Sequence, residues 1–483
     1  MKTLNVDVAV IGGGTAGLGA YRAAKEHTDS VVMIEGGPYG TTCARVGCMP
    51  SKLLIAAAEA VHHIEKAPGF GVHPMGETKI NGREVMDRVK RERDRFVGFV
   101  LEGVDSIPAE DKIRGFARFI DDNTLVVDEH TTINAKRIVI ATGSRPSWPA
   151  VWNELGDRLI INDDVFEWDD LPESVAVFGP GVIGLELGQS LHRLGVNVLM
   201  FGMGGQVGPL TDPEVMAYAD KTFSEEFYLD ADAKVEMMQR EGDKVFIRYQ
   251  DKSGEMQETL VDYVLAATGR RPNVDNIGIE NTTLALDARG VPVADKFTMQ
   301  TSVESVFIAG DASNQIPLLH EAADQARIAG DNAGRFPEIR AGLRRSKISA
   351  VFSDPQIGMV GESYREISQR LGTCGCFETG EVSFENQGRS RVMLRNKGML
   401  RVYGEQGTGR FLGAEMIGPD AEHIAHLLAW AHQNQMTVSQ MLDMPFYHPV
   451  VEEGLRTALR DLNAKLKLGP EMIKHCLDCG PGC

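Results

Sequence analysis

The first part of the fold can be predicted from the stretch Val6-Asp7-Val8-Ala9-Val10-Ile11-Gly12-Gly13-Gly14-Thr15-Ala16-Gly17. Residues 6–11 form an apolar strand pattern, the glycines form a turn, and an alanine-rich helix pattern continues to about residue 25. A second strand pattern at residues 30–34 ends in an acid. Glycines let a pyrophosphate approach the backbone closely, and an acid at this strand end accepts ribose hydroxyls. The sequence therefore predicts a Rossmann unit that binds a dinucleotide through Gly12, Gly14, Gly17 and Glu35.

The same pattern returns in the middle of the chain. Residues 175–178 form a strand pattern, Gly179-Pro180-Gly181-Val182-Ile183-Gly184 forms the turn, and residues 185–194 form a helix pattern. This internal repeat predicts a second dinucleotide, because all three glycines are present. The glycines assigned to it are Gly179, Gly181 and Gly184.

Composition and charge limit the classes of partner. The chain has 483 residues and a formal net charge of −18, which argues against nucleic acid and anionic membranes as partners. Neither a signal-peptide pattern nor a membrane-spanning run is found, so we expect a cytoplasmic protein. Seven cysteines without a secretory signal indicate redox or metal chemistry. They form three groups: Cys43 and Cys48; Cys374 and Cys376; and Cys476, Cys479 and Cys483.

The first cysteine group lies in the stretch Gly40-Thr-Thr-Cys-Ala-Arg-Val-Gly-Cys-Met-Pro-Ser-Lys52. A regular helix would separate Cys43 and Cys48 by about 7.5 Å along its axis, beyond the usual reach of a disulfide. We therefore expect a distorted first turn, which Gly47 permits. A position near a helix N-terminus would favour a thiolate, so the sequence predicts a reactive pair.

This run resembles the active site of the pyridine nucleotide-disulfide oxidoreductases, and the dihydrolipoyl dehydrogenases in particular. The resemblance spans residues 7 to about 466. It implies an α/β fold with two Rossmann-like domains, for FAD and NAD(P), and a C-terminal α+β dimerisation domain. The expected parts are 1–145 and 273–345 for FAD, 146–272 for NAD(P), 346–468 for dimerisation, and a cysteine-containing tail at 469–483.

The resemblance also implies residue roles. Cys43 would exchange with the substrate and Cys48 would face the flavin. His448, supplied by the partner subunit of a homodimer, would be the base, and Glu453 would fix its tautomer and raise its basicity. Lys52 and Glu186 would form an ion pair near the flavin. The other residues assigned to cofactor binding are Gly115, Ala117, Thr142, Gly143, Gly269, Gly310, Asp311 and His320.

The implied reaction passes electrons between a dithiol, the Cys43–Cys48 disulfide, FAD and NAD(H). The dithiol would be a small molecule or a lipoyl group on a protein. Gly184 favours NADH by the same resemblance. NADP stays open, because the strand at residues 196–201 is followed by Gly202, which we align with the ribose acid, and no arginine is nearby for a 2′-phosphate.

Two further positions depart from the family pattern. Thr41 replaces a glycine before the first cysteine, and Arg45 replaces an asparagine. Arg45 could depress a thiol pKa, could bind an acidic substrate, or could point to solvent.

Other readings of the sequence stay open. One is a reductase of another disulfide or of mercuric ion, with the tail cysteines as a relay. Another is a metal-binding or regulatory flavoprotein. The tail could also hold zinc through His475 and its three cysteines, or have no function. Cys374 and Cys376 are expected on opposite faces of a strand, in a structural role, and no metal site is predicted in the folded part.

Overall fold

The computed structural model describes residues 2–467 and begins with a Rossmann unit. Apolar β1 is buried between β2 and β6, and all three run parallel. The seven-stranded sheet has the order β3-β2-β1-β6-β5-β4, and β17 also pairs with β6. The elements of this first part are β1 (Lys2–Ile11), α1 (Thr15–Lys25), β2 (Val31–Glu35), α2 (Thr42–Val46), α3 (Cys48–Lys66), α4 (Gly82–Asp105), β3 (Lys112–Arg114), β4 (Ala117–Phe119), β5 (Thr124–Val127), β6 (Thr131–Ile140) and β7 (Ser144–Pro146).

A second parallel sheet follows, with the order β11-β10-β9-β15-β8, and a three-stranded antiparallel sheet, β12-β13-β14, is inserted before β15. Strand β16 pairs with β7 and so connects this part to the first. The elements are β8 (Leu159–Ile160), α5 (Asn162–Val165), β9 (Ser174–Phe178), α6 (Val182–Arg193), β10 (Asn197–Phe201), α7 (Pro213–Ser224), β11 (Tyr228–Asp230), β12 (Lys234–Glu241), β13 (Lys244–Gln250), β14 (Met256–Val261), β15 (Tyr263–Ala266) and β16 (Arg270–Pro272).

The chain then returns to the first sheet through β17 (Val306–Ile308), and α8 (Leu319–Arg335) packs against α1. The last part is a five-stranded antiparallel sheet with the order β18-β19-β22-β21-β20. Its elements are β18 (Ile348–Val351), β19 (Gln356–Gly361), α9 (Tyr364–Leu371), β20 (Phe377–Ser383), α10 (Gly388–Val392), β21 (Met399–Glu405), β22 (Phe411–Gly418), α11 (Ala421–Gln433), α12 (Val438–Leu442) and α13 (Glu453–Lys465).

The architecture confirms the predicted fold class of two Rossmann-like units and a C-terminal α+β domain. The domain boundaries stay a prediction.

One local expectation is wrong: Cys374 and Cys376 do not lie on a strand. A 3-10 turn at Gly372–Cys374 continues from α9, Gly375 adopts φ of +60°, and β20 begins only after Cys376. The two sulfurs are bonded to each other.

Among residues 2–467 no helix is long and apolar enough to cross a membrane. The same residues hold no group of three or more His, Cys, Asp or Glu side chains arranged to bind a metal. The tail cysteines and His475 lie outside the described residues.

Helices α1 and α8 touch at Gly330. A Cβ at this position would collide with the carbonyl oxygen of Ala20 and lie 2.7 Å from its Cα. We expect Gly330→Ala to lower the free energy of unfolding by roughly 1–3 kcal/mol through overpacking.

The matched control is Gly98→Ala in α4, where a Cβ meets no atom within 4 Å. Alanine should raise the free energy of unfolding there by about 0.5–1 kcal/mol, because it has the higher helix propensity. Urea unfolding of both variants measures the two effects. Equal changes would show that α1 and α8 are not in such close contact.

Candidate active site

The first glycine turn lies where β1 ends and α1 begins. A Cβ on Gly12 would collide with the carbonyl oxygen of Ala141, and one on Gly17 would collide with the carbonyl oxygen of Gly12. Gly12 has φ of +114°, a conformation that favours glycine. Gly14 instead faces open space. The turn is therefore tight on its protein side and open where a pyrophosphate would approach the N-terminus of α1.

The second turn repeats these contacts in the other Rossmann unit. A Cβ on Gly179 would collide with the carbonyl oxygen of Ala267, and one on Gly184 would collide with that of Gly179. Gly181 again faces open space. The repeat found in the sequence is thus also a repeat of backbone contacts.

Glu35 is fixed at the end of β2 beside the first turn. Its carboxylate accepts hydrogen bonds from the backbone N–H groups of Gly13 and Gly37, each at 2.6 Å. A cavity of about 480 Å³ begins here. It shares five lining residues with a second cavity of about 350 Å³, so the two form one trough from Glu35 to Cys48. The shared residues are Gly14, Thr42, Ala141, Gly143 and Ser144.

The trough fits the adenosine, pyrophosphate and flavin parts of FAD in order. Its first section offers Glu35, and its middle section offers the open backbone at Gly14 and Gly143. The hydroxyl of Thr142, which also lines the trough, is buried and has no hydrogen-bond partner within the protein. Such an orphaned polar atom indicates a missing ligand group. The far section contains Cys43 and Cys48.

The two cysteines are brought together by a break between two helices. Cys43 lies in α2, Cys48 is the first residue of α3, and Gly47 between them adopts φ −130° and ψ −115°. The predicted distortion is confirmed. The structure holds the pair as free thiols that share a hydrogen bond, the dithiol form of the expected disulfide. Asn162 supports the break, because its amide donates to the carbonyl oxygen of Val46 at 2.7 Å.

The thiols differ in acidity. The hydrogen bond from Cys43 and the charge of Lys52 lower the pKa of Cys48 to about 7, although burial opposes them. The hydrogen bond to Cys48, together with burial, raises the pKa of Cys43. The first proton is therefore lost from Cys48, and its thiolate accepts the hydrogen bond from Cys43.

Lys52 is held in place by a buried acid. Its Nζ lies 2.8 and 2.7 Å from the two carboxylate oxygens of Glu186, which is 4% exposed. The backbone N–H of Phe352 donates to the same carboxylate at 3.0 Å, and Lys52 lies 4.5 Å from the centre of the Phe352 ring. This cluster joins α3, α6 and the segment after β18 beside Cys48.

A second polar cluster lines the trough around Asp311, which the sequence analysis had assigned, and two of its members, Ser144 and Arg270, were missed in the sequence. Ser144 donates to Asp311 at 2.7 Å, and the Nε of Arg270 donates to Ser144 at 2.9 Å. Burial lowers the pKa of Arg270. The sequence signal was the run Thr268-Gly-Arg-Arg-Pro272 at the end of β15. Phe352 was missed because nothing in its local pattern shows that it meets Lys52.

His448 and Glu453 are paired on the last domain. The His448 Nδ1 lies 3.0 Å from both carboxylate oxygens of Glu453, and this hydrogen bond lowers the pKa of Glu453. The histidine side chain is 80% exposed. Neither residue lines the trough within one chain. A single chain therefore does not bring His448 to the cysteines.

Comparison with known proteins decides the family. Residues 6–326 match the pyridine nucleotide-disulphide oxidoreductases, and residues 348–459 match the dimerisation domain of the same proteins. The chain belongs to the pyridine nucleotide-disulphide oxidoreductases. The family prediction and its FAD and pyridine nucleotide cofactors are thereby confirmed.

Curated relatives are similar over nearly their whole length. The chain is 28% identical to dihydrolipoyl dehydrogenase of Bacillus subtilis over 463 residues, which cover 94% of this chain and 97% of the relative. It is 29% identical to the Chlamydia pneumoniae enzyme of that name, with coverage of 93% and 95%.

Two solved structures share the fold. LpdA from Mycobacterium tuberculosis has a TM-score of 0.79 at 24% identity and covers 94% of this chain and 99% of its own. The HOCl-induced flavoprotein disulfide reductase RclA from Escherichia coli has a TM-score of 0.78 at 22% identity, with coverage of 95% and 99%.

The other residues that the family resemblance assigned to cofactor binding divide into two groups. Gly115, Ala117, Thr142, Gly143 and Asp311 line the trough. The others do not line it: His320, the second residue of α8, is exposed, while Leu318 and Leu319 line the trough in front of it. Gly269 and Gly310 adopt positive φ and so turn the backbone next to residues that line the trough. Their roles stay predictions.

Gly202 lies at the end of β10, but it has no room for a side chain. A Cβ there would lie 2.6 Å from the carbonyl oxygen of Ala231 and 2.8 Å from the Pro180 ring. A side chain at position 202 therefore cannot supply the ribose contact.

We expect Lys52→Met to raise the pKa of Cys48 above about 7, by at least about one pH unit, because the cation that favours the thiolate is lost and Glu186 is left unpaired. The pH dependence of iodoacetamide alkylation at Cys48 in the dithiol protein measures this. Lys66→Met, at the other end of α3, is the matched control. If the pH dependence of Cys48 alkylation is unchanged in Lys52→Met, Lys52 does not lower the pKa of Cys48.

Proposed function

We propose that this family member oxidises a dithiol with NAD⁺, in the manner of a dihydrolipoyl dehydrogenase. The observation that carries the proposal is the Cys43–Cys48 pair, which faces the same trough as the first glycine turn and has one acidic thiol. The names of the curated relatives support a dihydrolipoyl group as the substrate. A cytoplasmic location and a lipoyl-bearing protein as its carrier belong to the same proposal.

The cysteines accept two electrons from the substrate. One substrate thiolate attacks Cys43 of the oxidised pair, a mixed disulfide forms, and Cys48 leaves as a thiolate. The second substrate thiol then attacks the substrate sulfur of the mixed disulfide and its proton passes to Cys43, so the substrate leaves as a disulfide and Cys43 leaves as a thiol. Lys52 makes Cys48 a good leaving group, because its positive charge lowers the pKa of the Cys48 thiol. FAD, when bound in the trough, supplies the two-electron carrier between this pair and the nicotinamide.

His448 is the proposed base that generates the substrate thiolate. Its Nδ1 faces Glu453, which leaves Nε2 to accept the substrate proton and stabilises the imidazolium that forms. Its exposure and its place on the dimerisation domain support delivery to the trough of a partner subunit. The active unit of this proposal is a homodimer.

NAD(H) is the proposed nicotinamide. Asp230 is the last residue of β11 and pairs with Phe201 at the end of β10, and Asp232 follows two positions later. The N–H of Gly204 donates to Asp232 at 2.8 Å. These acids border a cavity of about 340 Å³ with Gly205. In this proposal the negative charges of these two acids repel the 2′-phosphate of NADP and so select NAD(H). An acid at position 202 would otherwise have this role.

We expect His448→Gln to slow oxidation of dihydrolipoamide by roughly 10²–10⁴-fold, the scale of a general base, because no group is left to take the thiol proton. NADH-dependent reduction of a one-electron dye should be retained, since it needs no substrate thiol. Steady-state assays of both reactions on the holoenzyme measure the separation. His73→Ala, an exposed histidine, is the control. Equal losses in both reactions would assign His448 a structural role.

Asp232→Asn should improve the ratio of kcat/KM for NADPH to that for NADH by about fivefold, the scale of one screened charge near the cofactor. Asp243→Asn, in the exposed turn between β12 and β13, should leave the ratio unchanged. If both variants behave alike, another group selects the nicotinamide.

A further inference from the structure

Arg45 is a cation of the trough that the proposed mechanism does not use. It lies in α2, two positions after Cys43, and residues two apart on a helix do not face each other. Cys43 lines the section of the trough that ends at Cys48, whereas Arg45 lines the section that begins at Glu35. Arg45 therefore lies on a different side of α2 from the sulfur that would exchange with the substrate.

The charge of Arg45 also acts elsewhere than on the thiols. The charged side chains with the largest effect on the pKa values of Cys43 and Cys48 are Lys52 and Glu186. Arg45 instead opposes the effect of burial, which raises the pKa of Asp163 in α5. The guanidinium and this carboxylate do not form an ion pair, so Asp163 leaves the donors of Arg45 unused.

The stem of Arg45 is packed, but its guanidinium has no acceptor. A Cβ on Gly40 would lie 2.9 Å from the Cδ of Arg45 and 3.0 Å from the Cγ1 of Val97, so the stem lies against the loop before α2. Within residues 2–467 the guanidinium has no hydrogen-bond or ion-pair partner, although the residue is half-buried. Five N–H donors left unpaired beside a cavity favour an anionic ligand.

Two other arginines line the same section and already have acidic partners. Arg145 donates to the two carboxylate oxygens of Asp275 at 2.9 and 2.6 Å. Arg118 lies 3.7 Å from a carboxylate oxygen of Glu280. Of these three arginines, Arg45 is therefore the one whose donors are all available to a ligand.

The neighbours of Arg45 in this section are groups that suit phosphate oxygens. The section is lined by the first glycine turn, at the N-terminus of α1, and by Thr142, whose buried hydroxyl has no partner within the protein. A pyrophosphate at such a turn is anionic, and the planar guanidinium of arginine matches the geometry of phosphate oxygens. Arg45 thus supplies the cation that complements the backbone N–H groups of the turn.

We propose that Arg45 binds the pyrophosphate of FAD and so fixes helix α2 to the cofactor. Helix α2 has only five residues, and its N-cap is a hydrogen bond of 3.4 Å from the N–H of Ala44 to the Thr41 hydroxyl. So short a helix is not stable by itself, so a contact between its Arg45 and the cofactor helps to hold Cys43 in place. The proposal concerns the cofactor shared by the family and does not depend on which dithiol is oxidised.

The first test measures FAD binding to the apoprotein by isothermal titration calorimetry. We expect Arg45→Gln to raise the Kd for FAD by roughly 10–100-fold, the scale of a hydrogen bond to a charged group. Arg45→Lys keeps the charge but loses the planar fork, so its Kd should lie between those of the wild type and Arg45→Gln. The control is Arg91→Gln, which removes an exposed charge on α4 and should leave the Kd unchanged.

The second test separates the pyrophosphate from the flavin. ADP, which carries the pyrophosphate without the flavin, should compete with FAD less effectively in Arg45→Gln than in the wild type. Saturating FAD should also slow amide hydrogen exchange in residues 42–46 of the wild type, and slow it less in Arg45→Gln. Exchange in α13 should be the same in both proteins.

An unchanged Kd for FAD in Arg45→Gln, or an equal rise in Arg91→Gln, would overturn the proposal. Equal competition by ADP in the wild type and Arg45→Gln would also overturn it, because the contact would then not be to the pyrophosphate. A shift in the pKa of Cys48 with an unchanged Kd for FAD would assign Arg45 to the thiols instead. None of these measurements uses a dithiol substrate, so this proposal and the proposed function can fail independently.

Discussion

The helix break at Gly47 is the constraint on which the active site depends. Without it, the helix through Cys43 and Cys48 would hold their sulfurs apart. With it, the thiols share a hydrogen bond, and Cys48 becomes the first residue of a new helix, where unpaired N–H groups and the dipole favour a thiolate. The same helix carries Lys52, so the distance from Cys48 to its cation is set by one turn of α3.

The partner of Lys52, Glu186, fixes the helix that carries Cys48 against the other domains. Glu186 belongs to the second Rossmann unit, and Phe352, which also contacts it, belongs to the last domain. A second buried carboxylate joins the same parts: Glu415 in β22 accepts hydrogen bonds from the backbone N–H groups of Thr211 and Asp212. Removing one side of such a buried contact leaves a charge uncompensated, which is strongly destabilising. The orientation of the units around Cys48 is therefore held by paired acids as well as by apolar packing.

Features with a local cause could be predicted from the sequence. The glycine turns, Glu35 and the break at Gly47 each follow from a few adjacent residues, and the structure contains all of them. The contacts among Ser144, Arg270 and Asp311 could not be predicted, because these residues meet only after three segments fold together. The Lys52–Glu186 ion pair was expected only through the family resemblance. Cys374 and Cys376 were misplaced because alternation favoured a strand, whereas Gly375 turns the chain. Thr41, which stands where the family has a glycine, adopts φ of +58°, a strained conformation for a residue with a side chain. Its hydroxyl accepts a hydrogen bond from the backbone N–H of Ala44.

Helix α13 relates the acid–base pair to the second cysteine pair. It begins at Glu453, beside His448, and ends at Lys465, two residues before the hydrogen bonds that place the chain next to Cys376. Thirteen helical residues span about 20 Å. The helix lies directly on β20, since a Cβ at Gly380 would collide with the carbonyl oxygen of Ala458. The two chemical groups are thus fixed at opposite ends of one rigid element, too far apart to exchange electrons or protons directly.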